Sequence, residues 1–144
     1  MLKNLIFILL ISCSFLFSQN SKKNIEISDA KAKNGDYVGA KAGYKKVLIN
    51  EPNNTTCLYK SGLMSIQMGI DLDEAIKDFT KAIQLKPNYS DAYWGRGMAR
   101  KMKHEYKEAE EDLENAIQLN PNNDEAYISL AEVKYHLSDY GKAE

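Results

Sequence analysis

Cysteine, proline and tryptophan are scarce in this 144-residue chain, with two, three and one copies, and each scarcity narrows the field. Cys13 lies in an apolar leader, so removal of the leader at Ser18 leaves Cys57 alone and excludes an intrachain disulfide or a paired-cysteine metal or redox site. The only histidines, His104 and His136, are not spaced for a shared metal and read as surface residues. Charge of one sign is lacking too: 19 basic against 20 acidic side chains leave a net charge of -1, with no sequence-wide pull toward nucleic acid or an anionic bilayer. No P-loop, nucleophile elbow, zinc-binding helix or paired-cysteine pattern occurs. No catalytic residue, metal or cofactor is therefore expected, and the chain reads as a non-enzyme.

A long apolar run is also missing. Lys3 precedes Leu5 to Leu10, Ile11 and Phe15 to Phe17, interrupted by Ser12, Cys13 and Ser14, and the chain turns polar at Ser18-Gln19-Asn20-Ser21. A charged start, a short apolar middle and a small-residue exit make a secretory signal peptide, and the run falls short of the roughly 20 apolar residues of a comfortable membrane span. Two cleavage readings stand. A cut at residue 18 releases a soluble periplasmic or extracellular protein. Alternatively, Leu10-Ile11-Ser12-Cys13 resembles a lipoprotein box, with residues 1–12 removed and a lipidated Cys13 anchoring the chain to an outer membrane. A membrane is a partner only in the second case. The short leader and the Lys-, Asn- and Ile-rich composition point to a bacterial envelope.

What the remainder has is a period. Pro52, Pro87 and Pro121 are 35 and 34 apart, and Ala40, Ala75, Ala109 and Ala143 are 35, 34 and 34 apart. Ser28, Gly62, Gly97 and Ala131 step by 34, 35 and 34, so the one extra residue lies after Gly62 and before Ala75, around Met68-Gly69-Ile70-Asp71. An insertion disturbs least in a turn, which places a turn there.

Within the third repeat, Ala92, Tyr93, Arg96, Gly97 and Arg100 follow helical spacing, Lys103-His104-Glu105 breaks it, and Tyr106, Ala109, Leu113, Ala116 and Ile117 resume it until Pro121. Each repeat thus predicts two helices closed by a proline that cannot continue the second. Asp36, Asp71, Glu105 and Asp139 stand just before each second helix, where an acid caps or favours the exposed amides, and Ser90 and Asn123 are candidate caps for first helices. Alanines seven apart, with Gly62 or Gly97 on the partner helix, let two backbones approach closely, while Tyr44, Phe79 and Leu113 fill the volume between. Cys57 takes the place held later by Ala92 and Ala126, which predicts a small buried thiol standing in for alanine.

On these residues the chain resembles the tetratricopeptide-repeat family. Repeat three carries Tyr93, Gly97, Tyr106, Ala109, Leu113, Ala116 and Pro121; repeat four Tyr127, Leu130, Ala131, Tyr140 and Ala143; repeat two Leu58, Gly62, Ala75, Phe79, Ala82 and Pro87. Repeat one matches only in its second half, and its first helix, near residues 22–34, is degenerate. The resemblance implies an all-α fold, a right-handed superhelical solenoid of antiparallel helix pairs, preceded by the signal peptide. The repeats would span 21–54, 55–89, 90–123 and 124–144, the last cut short as its second helix begins, with the natural protein expected to continue.

In this family the first helices line a concave groove. The resemblance places Ile25, Asp29 and Lys33; Tyr59, Leu63 and Ile66; Trp94, Met98, Lys101 and Met102; and Ile128, Glu132 and Tyr135 on that face. The candidate protein-binding residues are Tyr59, Leu63, Trp94, Met98, Lys101, Ile128 and Tyr135, Trp94 foremost, with packing between repeats as its plainer role. Some family members clamp acidic peptide tails, but Leu63, Met98 and Glu132 stand where the clamp has asparagine, so that activity is not expected. Arg96, Arg100, Lys101, Lys103 and His104 make one helix basic beside an acidic partner carrying Glu108, Glu110, Glu111, Asp112 and Glu114; neighbouring surface salt bridges are the expected account, an anionic ligand at Arg96 and Arg100 the alternative. Two functions remain: an exported scaffold or adaptor holding a protein or peptide segment, or the extracytoplasmic sensory region of a longer signalling protein or enzyme. Neither the partner nor the oligomeric state is specified by the sequence.

Overall fold

A computed structural model describes residues 19–140, side chains of residues 139 and 140 excepted, and every regular element among them is a helix. The leader and both of its cleavage readings lie outside the described residues. α1 covers residues 19–33, α2 Tyr37–Asn50, α3 Thr55–Met68, α4 Leu72–Leu85, α5 Ser90–Met102, α6 Tyr106–Leu119 and α7 Asp124–Tyr140. The first helix of repeat one, degenerate by motif, is thus present, with Ser28 buried at the place glycine holds in the next two repeats.

Pro52, Pro87 and Pro121 each follow directly on the residue that ends a second helix, Glu51, Lys86 and Asn120. The extra residue is Ile70. In repeats one and three a left-handed residue, Gly35 (φ 81°) or His104 (φ 63°), is followed by a single residue before the second helix starts. In repeat two Gly69 (φ 68°) is followed by Ile70 and Asp71, the latter itself left-handed at φ 54°. The insertion is absorbed by the turn, where Ile70 is half exposed and no helical register is broken.

The caps are more varied than the repeat suggests. Asp36 accepts from Gly39 N at 2.8 Å and Asn123 accepts from Ala126 N at 3.0 Å, as expected. Asn54 does the same for Cys57 N at 3.0 Å. Asp71 and Glu105 make no side-chain cap; their carboxylates are drawn to Lys41 (2.8 Å) and Lys103 (2.6 Å), leaving only a favourable charge near the helix start. Ser90 is not a cap either, because its hydroxyl donates to Ala116 O at 2.9 Å and ties α5 to the end of α6. The break expected before Tyr140 is absent. Ser138, at the place of Gly35 and His104, stays helical and donates its Oγ to Tyr135 O at 2.8 Å, so α7 runs through Asp139 unbroken.

Small residues set the spacing of the stack. A Cβ added at Gly62 would lie 2.6 Å from the Phe79 ring, and one at Gly95 would meet the same ring at 2.6 Å. Phe79, on α4, is therefore gripped between the backbones of α3 and α5, and it is completely buried. Cys57, Ala92 and Ala126 are likewise fully buried at equivalent places, so the thiol does replace an alanine. Burial pushes the Cys57 thiol up to about 11.

From α2 onward each helix packs on its neighbours in sequence, and the first helices also touch one another, α3 with α5 and α5 with α7. No contact of that extent joins α4 to α6. First helices drawn together and second helices splayed apart curve the stack, with α3, α5 and α7 on the inside.

Candidate binding groove

The inner wall is built by residues four apart on the first helices, which share a face. On α3, Tyr59 and Leu63 are half-buried. Tyr59 stands 6.0 Å from Phe79 and 5.3 Å from Tyr89, ring centroid to ring centroid. On α5, Trp94 packs against the cluster of Ala109, Leu113 and Val133, and its indole Nε1 is buried without a hydrogen-bond partner among the described residues. The plainer role of Trp94, packing between repeats, is thus real. Met98 lies one turn on, its sulfur 3.1 Å from Ser129 Oγ of α7, a hydroxyl that donates to Glu125 O at 2.7 Å. On α7, the last described helix, Ile128 is 61% exposed and Tyr135 67% exposed among the described residues.

Charged residues on this wall are partly neutralised. Lys101 pairs with Glu132 across α5 and α7. Asp29 takes Lys60 Nζ at 2.7 Å and the Tyr44 hydroxyl at 2.6 Å. Burial works to raise its carboxyl, but the hydrogen bonds from Lys60 and Tyr44 outweigh it and hold the group below its ordinary range. Asp29 is therefore committed to joining α1, α2 and α3. Ile25 and Ile66 pack into the core clusters, and Lys33 is exposed.

Where α3, α5 and the start of α7 meet, the wall dips into a hollow of about 200 Å³ lined by Tyr59, Asp91, Trp94, Asn123 and Glu125. Asp91, Asn123 and Glu125 were not among the candidates read from sequence. Acids in the first turn of a helix read as favourable dipole partners, and only the stacking of α5 and α7 brings these two to one cavity.

The basic stretch of α5 behaves differently from either expectation. Arg96 reaches Asp112 through Nε (2.9 Å) and Nη2 (2.7 Å), and Arg100 reaches it through Nη1 (2.8 Å). Asp112 is 2% exposed, so this is a buried three-residue network rather than a surface salt bridge. Thr80 Oγ1 and Glu108 O take further guanidinium protons at 3.1 and 3.2 Å, which leaves the arginines committed and argues against an anion site there. His104 and Tyr106 share a 2.8 Å hydrogen bond, and His136 stacks on Tyr106 at 4.9 Å.

Fold and groove together define a helical-repeat solenoid whose inner wall is apolar and aromatic. Family comparison makes the class specific: the profile described as "TPR repeat" matches residues 71–104, and the one described as "Tetratricopeptide repeat" matches 90–123. The MamA protein is 32% identical, with 88% of this chain aligned to 68% of that one at a TM-score of 0.76. The first TPR of Spaghetti (RPAP3), bound to the HSP90 peptide SRMEEVD, is 28% identical over 84% of this chain and 95% of its own, TM-score 0.79. The Sgt2 TPR domain from Aspergillus fumigatus is 26% identical over 87% and 84%, TM-score 0.81. This chain belongs to the tetratricopeptide-repeat family.

Proposed function

We propose that the chain is an exported, non-enzymatic scaffold or adaptor that holds a peptide or extended protein segment along the inner wall of a right-handed superhelix. The observation that carries this reading is the exposed pair Ile128 and Tyr135 on α7, continuing the Tyr59, Leu63, Trp94 and Met98 surface. An isoleucine and a tyrosine on the concave side are the kind of aliphatic and aromatic anchors that peptide grooves use. Two similar domains, the first TPR of Spaghetti and the second TPR domain of human RPAP3, are bound to HSP90 and HSP70 peptides, which supports a peptide guest. Lys101, paired to Glu132, sits at the rim and contributes its aliphatic stem.

Export rests on the leader: Lys3, the apolar stretch from Leu5 to Phe17 and the polar exit at Ser18. Mass spectrometry of the protein from fractionated cells tests it. A mature N-terminus at Gln19 supports the soluble periplasmic or extracellular form and a lipid-modified Cys13 the outer-membrane lipoprotein; an intact Met1 in the cytoplasm contradicts both.

Groove binding is tested with peptides selected from a displayed random library on the purified protein. Ile128→Asp and Tyr135→Ala are the informative variants, because both side chains are exposed and contribute little to the core. Each is expected to weaken the selected peptides about tenfold or more with an unchanged helical melt. Unaltered affinity in both rejects the groove.

A further inference from the structure

We propose that the hollow between Tyr59 and Trp94 receives a positively charged side chain, lysine or arginine, projecting from the segment that the groove holds. This rests on the groove reading above and adds the chemistry of the guest. Two carboxylates, Asp91 and Glu125, line the hollow with two aromatic residues. Both acids are exposed, and neither forms an ion pair among the described residues. The other acids of the inner wall are answered from within the protein, Asp29 by Lys60 and Glu132 by Lys101.

The helix dipole explains one acid at the start of each helix. It does not explain why the acids at the starts of α5 and α7 meet around one cavity with Tyr59 and Trp94, while α3 has uncharged Thr56 at the matching place. The fields of Asp91 and Glu125 both reach the Tyr59 hydroxyl, which burial first and then these charges hold in its protonated form. Aromatic faces attract a cation through their quadrupole, and carboxylates at the same mouth complete its neutralisation. The hollow is open to solvent and matches the bulk of one long side chain. An acidic peptide would instead meet two like charges.

The test uses the peptides selected from a displayed library on the full chain, with fluorescence anisotropy against wild type, Asp91→Asn, Glu125→Gln, the double variant, Tyr59→Leu, Ile128→Asp and Tyr135→Ala. Peptides carrying one fixed lysine or arginine are expected. Replacing that residue by norleucine weakens binding to wild type about tenfold or more and to the double variant by less than threefold. Should peptides that lose affinity with Ile128→Asp be indifferent to Asp91→Asn and Glu125→Gln, the inference is overturned and the groove reading stands. Peptides that bind but ignore both Ile128→Asp and Tyr135→Ala overturn both readings. Basic peptides that bind the Tyr59→Leu protein as tightly as wild type show general charge attraction and overturn the inference alone.

Discussion

Arg96 and Asp112 form a two-pronged ion pair, Nε to Oδ2 at 2.9 Å and Nη2 to Oδ1 at 2.7 Å, across the two helices of the third repeat. With Arg100 on the same carboxylate, the network fixes α5 against α6 on the helix that also carries Trp94 and Met98. Geometry of this kind is directional, so it sets the angle of a helix pair as well as its spacing.

Asp112→Asn leaves two guanidinium groups facing a neutral amide in a site that is almost dry. Stability is expected to fall by about 3 kcal/mol, the low end for a broken buried pair because both arginines can reach water. Urea denaturation followed by circular dichroism measures it. A change below about 0.5 kcal/mol would mean that the network contributes nothing beyond surface pairing.

Gly95→Ala places a methyl group 2.6 Å from the Phe79 ring, and the ring has Gly62 at its other side. The substitution is expected to destabilise by about 1–3 kcal/mol through overpacking. Phe79→Leu in the same chain shrinks the obstacle, so the two changes together should be less harmful than their sum. Additive effects in a double-mutant cycle contradict the grip described for Phe79.

Asp29 ties stability to pH. Its folded carboxyl lies below the unfolded value of about 3.9, so its contribution is complete above that value and is lost as pH falls through the folded pKa. Wild type should lose stability on going from pH 6 to pH 3, and Lys60→Gln, which removes the main partner, should lose less over the same interval. Equal losses in the two proteins would exclude the Asp29 to Lys60 pair as a source of the acid sensitivity.

Cys57 is fully buried with its thiol pushed up to about 11, burial being the main cause. Alkylation mapped by mass spectrometry at pH 8 should leave Cys57 unmodified in the native protein and label it in denaturant. Cys57→Ala should stay within about 1 kcal/mol of wild type, since alanine fills the same place in repeats three and four. Rapid native labelling contradicts the burial.

Helix pairing, turn positions and the place of the inserted Ile70 were legible in the sequence because they depend on local chemistry: proline stops a helix, glycine tolerates a left-handed turn, and small residues recur where backbones meet. Gly95 escaped notice since it breaks no period, yet its contact with Phe79 is as close as that of Gly62. Ser90 does not cap, and of the two roles open to Asp71 and Glu105 only the favourable charge at the helix start holds, because the competing partners, Ala116 O, Lys41 and Lys103, are chosen by stacking or by turn geometry rather than by a local motif. The burial of Asp112 and the meeting of Asp91 with Glu125 depend in the same way on packing between helices. Ser138 shows the converse: the repeat predicts a turn, but a hydroxyl returned to Tyr135 O and the absence of glycine or proline from Tyr135 to Tyr140 allow the helix to continue.

A chemical-shift map tests the groove most directly. Titrating a library-selected peptide into the isotopically labelled protein should move backbone amides on α3, α5 and α7, strongest around Tyr59, Trp94, Met98, Ile128 and Tyr135, and leave α4 and α6 largely still. Perturbations concentrated on the outer helices α4 and α6, with those inner residues unmoved, would contradict it.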